Sequence, residues 1–510
     1  MEARPAVNRV TEQIQESSAA GPPAAAGTSS GKDLSARLLQ NTAAAISGRG
    51  LAILFSTGAA ILLARFLGVE RLGEYGAIYA YIGLFTWLAA FGFEAVLVRE
   101  LSRDRNNASS LVHTTVVLSA LFSVGTIGVA ILLARWSGYT GFLWWLLALA
   151  SVEFVLTPLR LPAVIFQVDL QQWYAATINV VRQGLWLGII VVLWIIKAPL
   201  LYVVMARVFT ALVESLLLWV GGQRHLRGEK QFLTERVRLL LTHSFPIAFT
   251  SLLGMIYMRI DQVMLHKMTT DSVLGQYVAA VKVSELFELV PAALMLSIVP
   301  ILSVSFAEPA LFRSHVDRTF RFFMIMAGGL CVTMTVGAHT IIWILYGKQF
   351  LPAASLLAIL IWSEVAVFFS TVVVNALVAN NQQGILPVPT LLGAGINIAL
   401  NLYLIPRYGA TGAAWATLVS YTMAWMVCLL FIPQTRSLTG RGLRFAIPIV
   451  GVSLVSVACG LQLHTADVVR VAAALALFAA GLWITNSIRR SDLVEAMAAV
   501  RGAIARAPGS

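Results

Sequence analysis

The chain has 510 residues, is 58% hydrophobic, carries only 12% charged residues and has a formal net charge of +12. Soluble domains carry about 25% charge, so the composition excludes an ordinary soluble enzyme. The positive excess reads as loop charge rather than as a nucleic-acid surface, and no nucleic-acid partner is expected. The apolar runs are about 18–25 residues long, which suits helices crossing a hydrocarbon core of about 30 Å. A barrel would instead show alternating segments of about ten residues.

Residues 1–40 are rich in Ala, Ser, Gly, Pro and Gln. They lack the apolar stretch of a signal peptide and read as a disordered cytoplasmic tail. Fourteen spans follow, near 44–66, 76–98, 112–134, 142–163, 174–196, 200–220, 244–266, 277–302, 322–345, 354–378, 385–405, 411–432, 445–462 and 468–487. This defines an all-α polytopic membrane protein. Threading the chain from inside places 23 basic residues on one side of the membrane and eight on the other, so both termini are expected in the cytoplasm. The expected division is a six-helix bundle over 41–221, a basic linker over 222–241, a second bundle over 242–434, two extra spans over 435–488 and a tail over 489–510. Within that tail, Leu493, Met497, Val500 and Ile504 share one helical face, which suits either a helix on the inner leaflet or a frayed, solvated end.

The two bundles carry an internal echo. Leu72–Phe85 aligns without a gap on Leu274–Phe287, matching six of 14 positions as Leu, Gly, Tyr, Ala, Leu and Phe. The copies begin at spans one and seven. Six spans separate them, so both halves face the same way, as in parallel transporter repeats related by a pseudo-twofold along the membrane normal. Spans thirteen and fourteen lie outside the repeat and are expected at the periphery.

No phosphate-binding loop of the Walker type appears, so direct drive by ATP is not expected. Cys331, Cys428 and Cys459 fall inside spans without metal-ligand spacing, and the seven His are scattered, so no metal or cofactor is expected. The chemistry rests on charges inside spans, which cost several kcal/mol unless paired or wet. The basic set is Arg49, Arg182, Arg207, Arg259 and Lys282. The acidic set is Glu94, Glu153, Glu214, Asp261, Glu285, Glu288 and Glu364, with Asn179, Asn375, Asn397 and Asn401 as polar companions. Lys282, Glu285 and Glu288 share one face of span eight, and Lys282 can pair with Glu285. Arg259 and Asp261 point to different sides of span seven. Lys282 or a first-half arginine is the expected partner of Asp261, while Arg259 either faces a wet cavity or finds a partner on another helix. Arg207 and Glu214 share a face of span six and suit an interhelical network. Arg49 sits early enough in span one to reach the inner headgroups. Glu364 has no basic neighbour at helical spacing and is a candidate for protonation within the membrane.

Several stretches resemble one family. Ala64-Arg65-Phe66-Leu67-Gly68 through Gly73-Glu74-Tyr75, Gly92-Phe93 and Val98-Arg99-Glu100 resemble the opening helices of Wzx-type polysaccharide flippases. Further matches are Arg259-Ile260-Asp261-Gln262, Gly275-Gln276-Tyr277, Pro300-Ile301-Leu302-Ser303, Tyr346-Gly347-Lys348-Gln349-Phe350, Asn397-Ile398-Ala399-Leu400-Asn401 and Tyr408-Gly409-Ala410-Thr411-Gly412. In this order they point to the polysaccharide-transporter branch of the multidrug/oligosaccharidyl-lipid/polysaccharide (MOP) exporter superfamily. The resemblance implies two six-helix bundles forming a V around a central cavity. It also implies alternating-access transfer of an undecaprenyl-diphosphate-linked oligosaccharide from the inner to the outer leaflet of a bacterial inner membrane, with no enzymatic step. By the same analogy Arg49 and Arg259, then Arg182 and Lys282, are expected to contact the diphosphate or glycan, with Arg207, Asn397 and Asn401 completing the cavity. Asp261, Glu285, Glu288, Glu364, Glu94 and Glu153 are expected to couple an ion, a proton or sodium, or to form structural pairs. The raw count of seven acids to five bases does not suggest a strongly cationic cavity. Other polysaccharide-assembly proteins are candidate partners besides the bilayer and the lipid-linked oligosaccharide. Three other readings stay open: a multidrug or organic-cation antiporter, a peptidoglycan-precursor flippase, and an integral membrane enzyme of glycan assembly.

Overall fold

The computed structural model describes residues 31–487, apart from 170, 227, 306, 307 and 381, with no side chain described for residues 31–47 and 49. The expected tail over 489–510, with its amphipathic face, lies outside the described residues, as does most of the amino-terminal tail. The first described helix starts at Gly31, so residues 31–40 of that expected tail are helical. Helices and turns account for the described residues, with no strand among them.

Among the described residues, twelve continuous stretches are long and apolar enough to cross a membrane. Two of them, Gly50–Arg103 and Gln383–Phe431, are about twice the usual length. Each contains two spans, because the backbone leaves helical geometry at Gly68 (φ 71°) and Gly409 (φ 56°). Positive φ is open to glycine, which has no Cβ to clash. Fourteen spans result, in the expected order. Borders differ where polar turns extend a helix beyond the apolar window. Span nine begins at Pro309 rather than near 322, and the basic linker shrinks because span six runs on to His225 and span seven begins at Thr234.

The largest core joins the halves. Leu72, Tyr75 and Ile78 of the first copy pack among Leu274, Tyr277 and Val278 of the second. Spans thirteen (Pro433–Gln462) and fourteen (Asp467–Ile484) pack on span nine and on each other. At the sparsely basic face the halves are sealed. A Cβ on Gly73 would lie 1.8 Å from the Asp271 carbonyl oxygen, and one on Gly275 would lie 1.9 Å from that of Val69. The two matched glycines therefore let the backbones of the two halves touch. Arg65 donates to the carbonyls of Ile344 and Leu345, and Lys267 donates to the Ser137 carbonyl (2.9 Å) while lying 3.3 Å above the Tyr139 ring.

Towards the other face the seam between spans one and eight loosens. Span eight is broken at residues 286–288 into Asp271–Glu285 and Leu289–Ser305. The first piece packs extensively on the first half; the second packs on spans nine and ten. The seam between spans two and seven stays closed, with Gly92 against Ile247 and Ser244.

Candidate substrate cavity and its charged groups

A cavity of about 390 Å³ lies between the halves. The first half contributes Ser56, Tyr75, Arg182, Gln183, Trp186 and Arg207; the second contributes Lys282, Glu285 and Tyr346. Three cations and one carboxylate thus line it, although acids outnumber bases among the in-span charges. The reason is where the acids point. Glu214 turns away to bind Arg160 (3.0 Å) and Arg182 (3.2 Å). Glu153 stands behind Arg207 at 3.6 Å. Glu94 accepts from Gln167 (2.6 Å) outside the cavity. Each first-half acid steadies a group rather than cancelling the surface the cavity presents.

Arg207 is the most elaborately held. It donates to the Tyr75 hydroxyl (2.8 Å), and its guanidinium lies 4.1 Å from the Tyr79 ring centroid. Planar guanidinium suits this combined stacking and hydrogen bonding. Span four is interrupted by a tight 3₁₀ stretch, Val152–Leu156, which brings Glu153 to Arg207. The interhelical network expected of Arg207 and Glu214 forms, with separate partners: Arg207 meets Tyr75 and Glu153, and Glu214 meets Arg160 and Arg182. The spacing of seven puts both on one face but cannot say which neighbouring helix meets each.

In the second half, Glu285 receives both Lys282 Nζ (2.5 Å) and Arg259 Nη1 (3.1 Å). The expected Lys282–Glu285 pair is present. Arg259 is paired and stands behind Glu285, so it meets the cavity through that carboxylate. Asp261 has neither Lys282 nor an arginine as hydrogen-bond partner. It accepts from the Tyr277 hydroxyl (2.5 Å) and the Gln262 amide (2.7 Å). Asn397 and Asn401 are fully buried, bonded to one another (2.8 Å), and Asn397 donates to Ser420 (3.2 Å). They stitch spans eleven and twelve instead of lining the cavity. The side chain of Arg49 lies outside the described residues. Glu364 donates nothing to the cavity wall; its Oε1 accepts from Ser284 (2.9 Å) deep in the second half. Tyr75, Trp186 and Tyr346 are lining residues that the charge inventory passes over. Tyr75 is singled out by its match with Tyr277 in the repeat, and Tyr346 by the family-like stretch it opens; Trp186 carried no signal.

Two bundles of six spans about a shared cavity whose wall carries three cations and one carboxylate have the architecture of a membrane transporter. The family described as "Polysaccharide biosynthesis protein" matches residues 38–306, more than half of the chain. The protein belongs to that family, the Wzx-type polysaccharide flippases of the MOP superfamily. Among curated relatives, "Probable low-salt glycan biosynthesis flippase Agl15" of Haloferax volcanii is 24% identical over 398 residues, covering 77% of this chain and 82% of its own. "Probable flippase AglR" of the same organism is 29% identical over 192 residues, 35% of this chain and 39% of its own. Of solved structures, the lipid II flippase MurJ in an inward closed conformation superposes with a TM-score of 0.69 at 14% identity, covering 89% of this chain and 100% of that chain. An inward-facing multidrug-resistance MATE transporter gives 0.62 at 13% identity, covering 78% of this chain and 99% of that chain. Identities this low show the fold alone.

Proposed function

We propose that the protein carries a lipid-linked oligosaccharide with a diphosphate head, of the undecaprenyl-diphosphate class, from the cytoplasmic to the outer leaflet of a bacterial inner membrane for surface-polysaccharide assembly. The observation that carries this reading is the wall formed by Arg182, Arg207 and Lys282 on a cavity shared by both halves. Guanidinium groups match phosphate oxygens in geometry and charge. The seal at the sparsely basic face and the loosened seam between spans one and eight suit loading from the cytoplasmic leaflet, the lipid tail remaining in the bilayer. Rocking of the bundles about the cavity then exchanges the open face. Both termini fall in the cytoplasm on this reading, and the residues do their work by binding and release, without bond chemistry.

Thermal stability of the purified protein tests it. Undecaprenyl diphosphate, added above its binding constant, stabilises the folded protein through mass action, and undecaprenol does not. The shift is lost in Arg182→Ala/Arg207→Ala. Equal stabilisation by the alcohol, or by organic cations in its place, overturns the reading and favours the antiporter class.

A further inference from the structure

Spans four and six pack side by side and exchange two ion pairs at one interval. Glu153 meets Arg207, and seven residues further along both spans Arg160 meets Glu214 (3.0 Å). The two rungs have opposite polarity. In the first, span six supplies the cation and span four the acid. In the second, span four supplies the cation and span six the acid. Span six also packs on span five, and Arg182 of span five reaches the other oxygen of Glu214. One carboxylate thus serves two guanidiniums, and they are not held alike. Arg160 has both Glu214 and the fully buried Ser215, whose hydroxyl accepts from its Nε (3.0 Å). Arg182 lies 3.2 Å from Glu214 through a buried Nε that is out of line for a hydrogen bond. Its Nη2 reaches Asn179 Oδ1 only at 3.4 Å. Arg207, the other arginine on the cavity wall, has the Tyr75 hydroxyl at 2.8 Å and the Tyr79 ring beside it. Arg182 is therefore the loosely held arginine of the wall.

We propose that Glu214 is a displaceable counter-ion: it holds Arg182 while the cavity is empty, yields it to the diphosphate of the substrate, and stays with Arg160 meanwhile. This role rests on the flippase reading of the cavity. A guanidinium inside a membrane needs an anion or water beside it, and Glu214 supplies the anion between cycles. A diphosphate offers Arg182 the two-point hydrogen bonding that guanidinium favours, which a carboxylate set against Nε alone does not. Glu214 is not stranded by the exchange, because Arg160 goes on neutralising it; a buried carboxylate stripped of its partner would be costly. Competition from Glu214 lowers the net affinity of the wall for the head group. Affinity differences within one site fall mostly on the rate of release, so the competitor favours unloading. Glu214 thus sets the balance between capture and release, and Arg160 sets how strongly Glu214 competes.

Titration of the full chain in nanodiscs with undecaprenyl diphosphate tests this, because a competitor and a mere scaffold predict opposite signs. Glu214→Gln keeps the shape and removes the charge. It is expected to bind the lipid roughly fivefold more tightly than wild type, the worth of one partly exposed ion pair, and to release it more slowly into acceptor vesicles. Arg160→Gln leaves Glu214 to Arg182 alone and is expected to bind several-fold more weakly. Arg160→Gln/Glu214→Gln returns to tight binding. Residues that only build the wall would weaken binding in all three variants. Equal or weaker binding by Glu214→Gln therefore overturns the inference. Should that variant fail to fold, Arg160→Gln/Glu214→Gln, which removes both charges of the rung together, decides by the same sign. A wild-type chain that ignores undecaprenyl diphosphate, or binds undecaprenol equally well, overturns the flippase reading and the exchange with it.

Discussion

In the first half Tyr75 accepts a hydrogen bond from Arg207, which Glu153 backs; in the second half its repeat counterpart Tyr277 donates to Asp261 and meets Thr417. One scaffold thus supports a permanently charged wall on one side and an acid-rich interior on the other. The difference teaches a division of labour. Fixed cations held by acids behind them present charge to the cavity, while Asp261 and Glu364 are held by hydroxyl and amide donors. At the seal the halves remain alike, because there both copies meet the same demand: two backbones must touch at Gly73 and Gly275.

The comparison breaks most severely at Arg207. Arg207→Ala leaves Glu153 and two tyrosines without their shared partner; with the Arg207 side chain 40% exposed, the stability cost is about 1 kcal/mol, and the larger effect falls on transport. Translocation should fall to near background, with Arg207→Lys recovering part of it, as read by a leaflet-resolved assay in proteoliposomes. Next come the glycines. Gly73→Val and Gly275→Val each drive a side chain into a carbonyl oxygen, a strain of about 1–3 kcal/mol. The account expects the two to act alike, lowering thermal stability and raising labelling of a cysteine placed at the sealed face. A large effect from one only would mean that the seal is not a symmetric device. Lys282→Gln is milder. Glu285 keeps Arg259, so the loss is about 1 kcal/mol, roughly fivefold in glycolipid affinity. The smallest effect belongs to Lys267→Met, which removes a cation over the Tyr139 ring. A contact of this kind is worth about 0.5–1 kcal/mol, and a slight fall in melting temperature with unchanged affinity is expected.

Much of this was legible in the sequence. Apolar length and loop charge gave the spans, because the bilayer imposes both. The Leu72–Phe85 echo survived because the seal constrains it in both copies. Partners across helices were not legible. Nothing in the spacing of Arg207 and Glu214 tells that span four breaks to deliver Glu153, or that Arg160 and Arg182 share Glu214. For Arg259 the sequence left open a wet cavity or a partner on another helix, and Glu285 of span eight is that partner. Asn397 and Asn401 read as cavity groups, but a one-turn spacing equally suits a buried ladder, and that is where they lie. The cationic wall was hidden because a count of charges carries no direction.

The central claim is that the Arg182–Arg207–Lys282 wall moves a lipid-linked glycan between leaflets. Its most direct test is the leaflet location of lipid-linked oligosaccharide in cells lacking the protein, read beside their drug susceptibility. The account predicts glycolipid trapped on the cytoplasmic face, released by the wild-type chain and not by Arg182→Ala/Arg207→Ala. Normal surface polysaccharide together with raised drug sensitivity would contradict it.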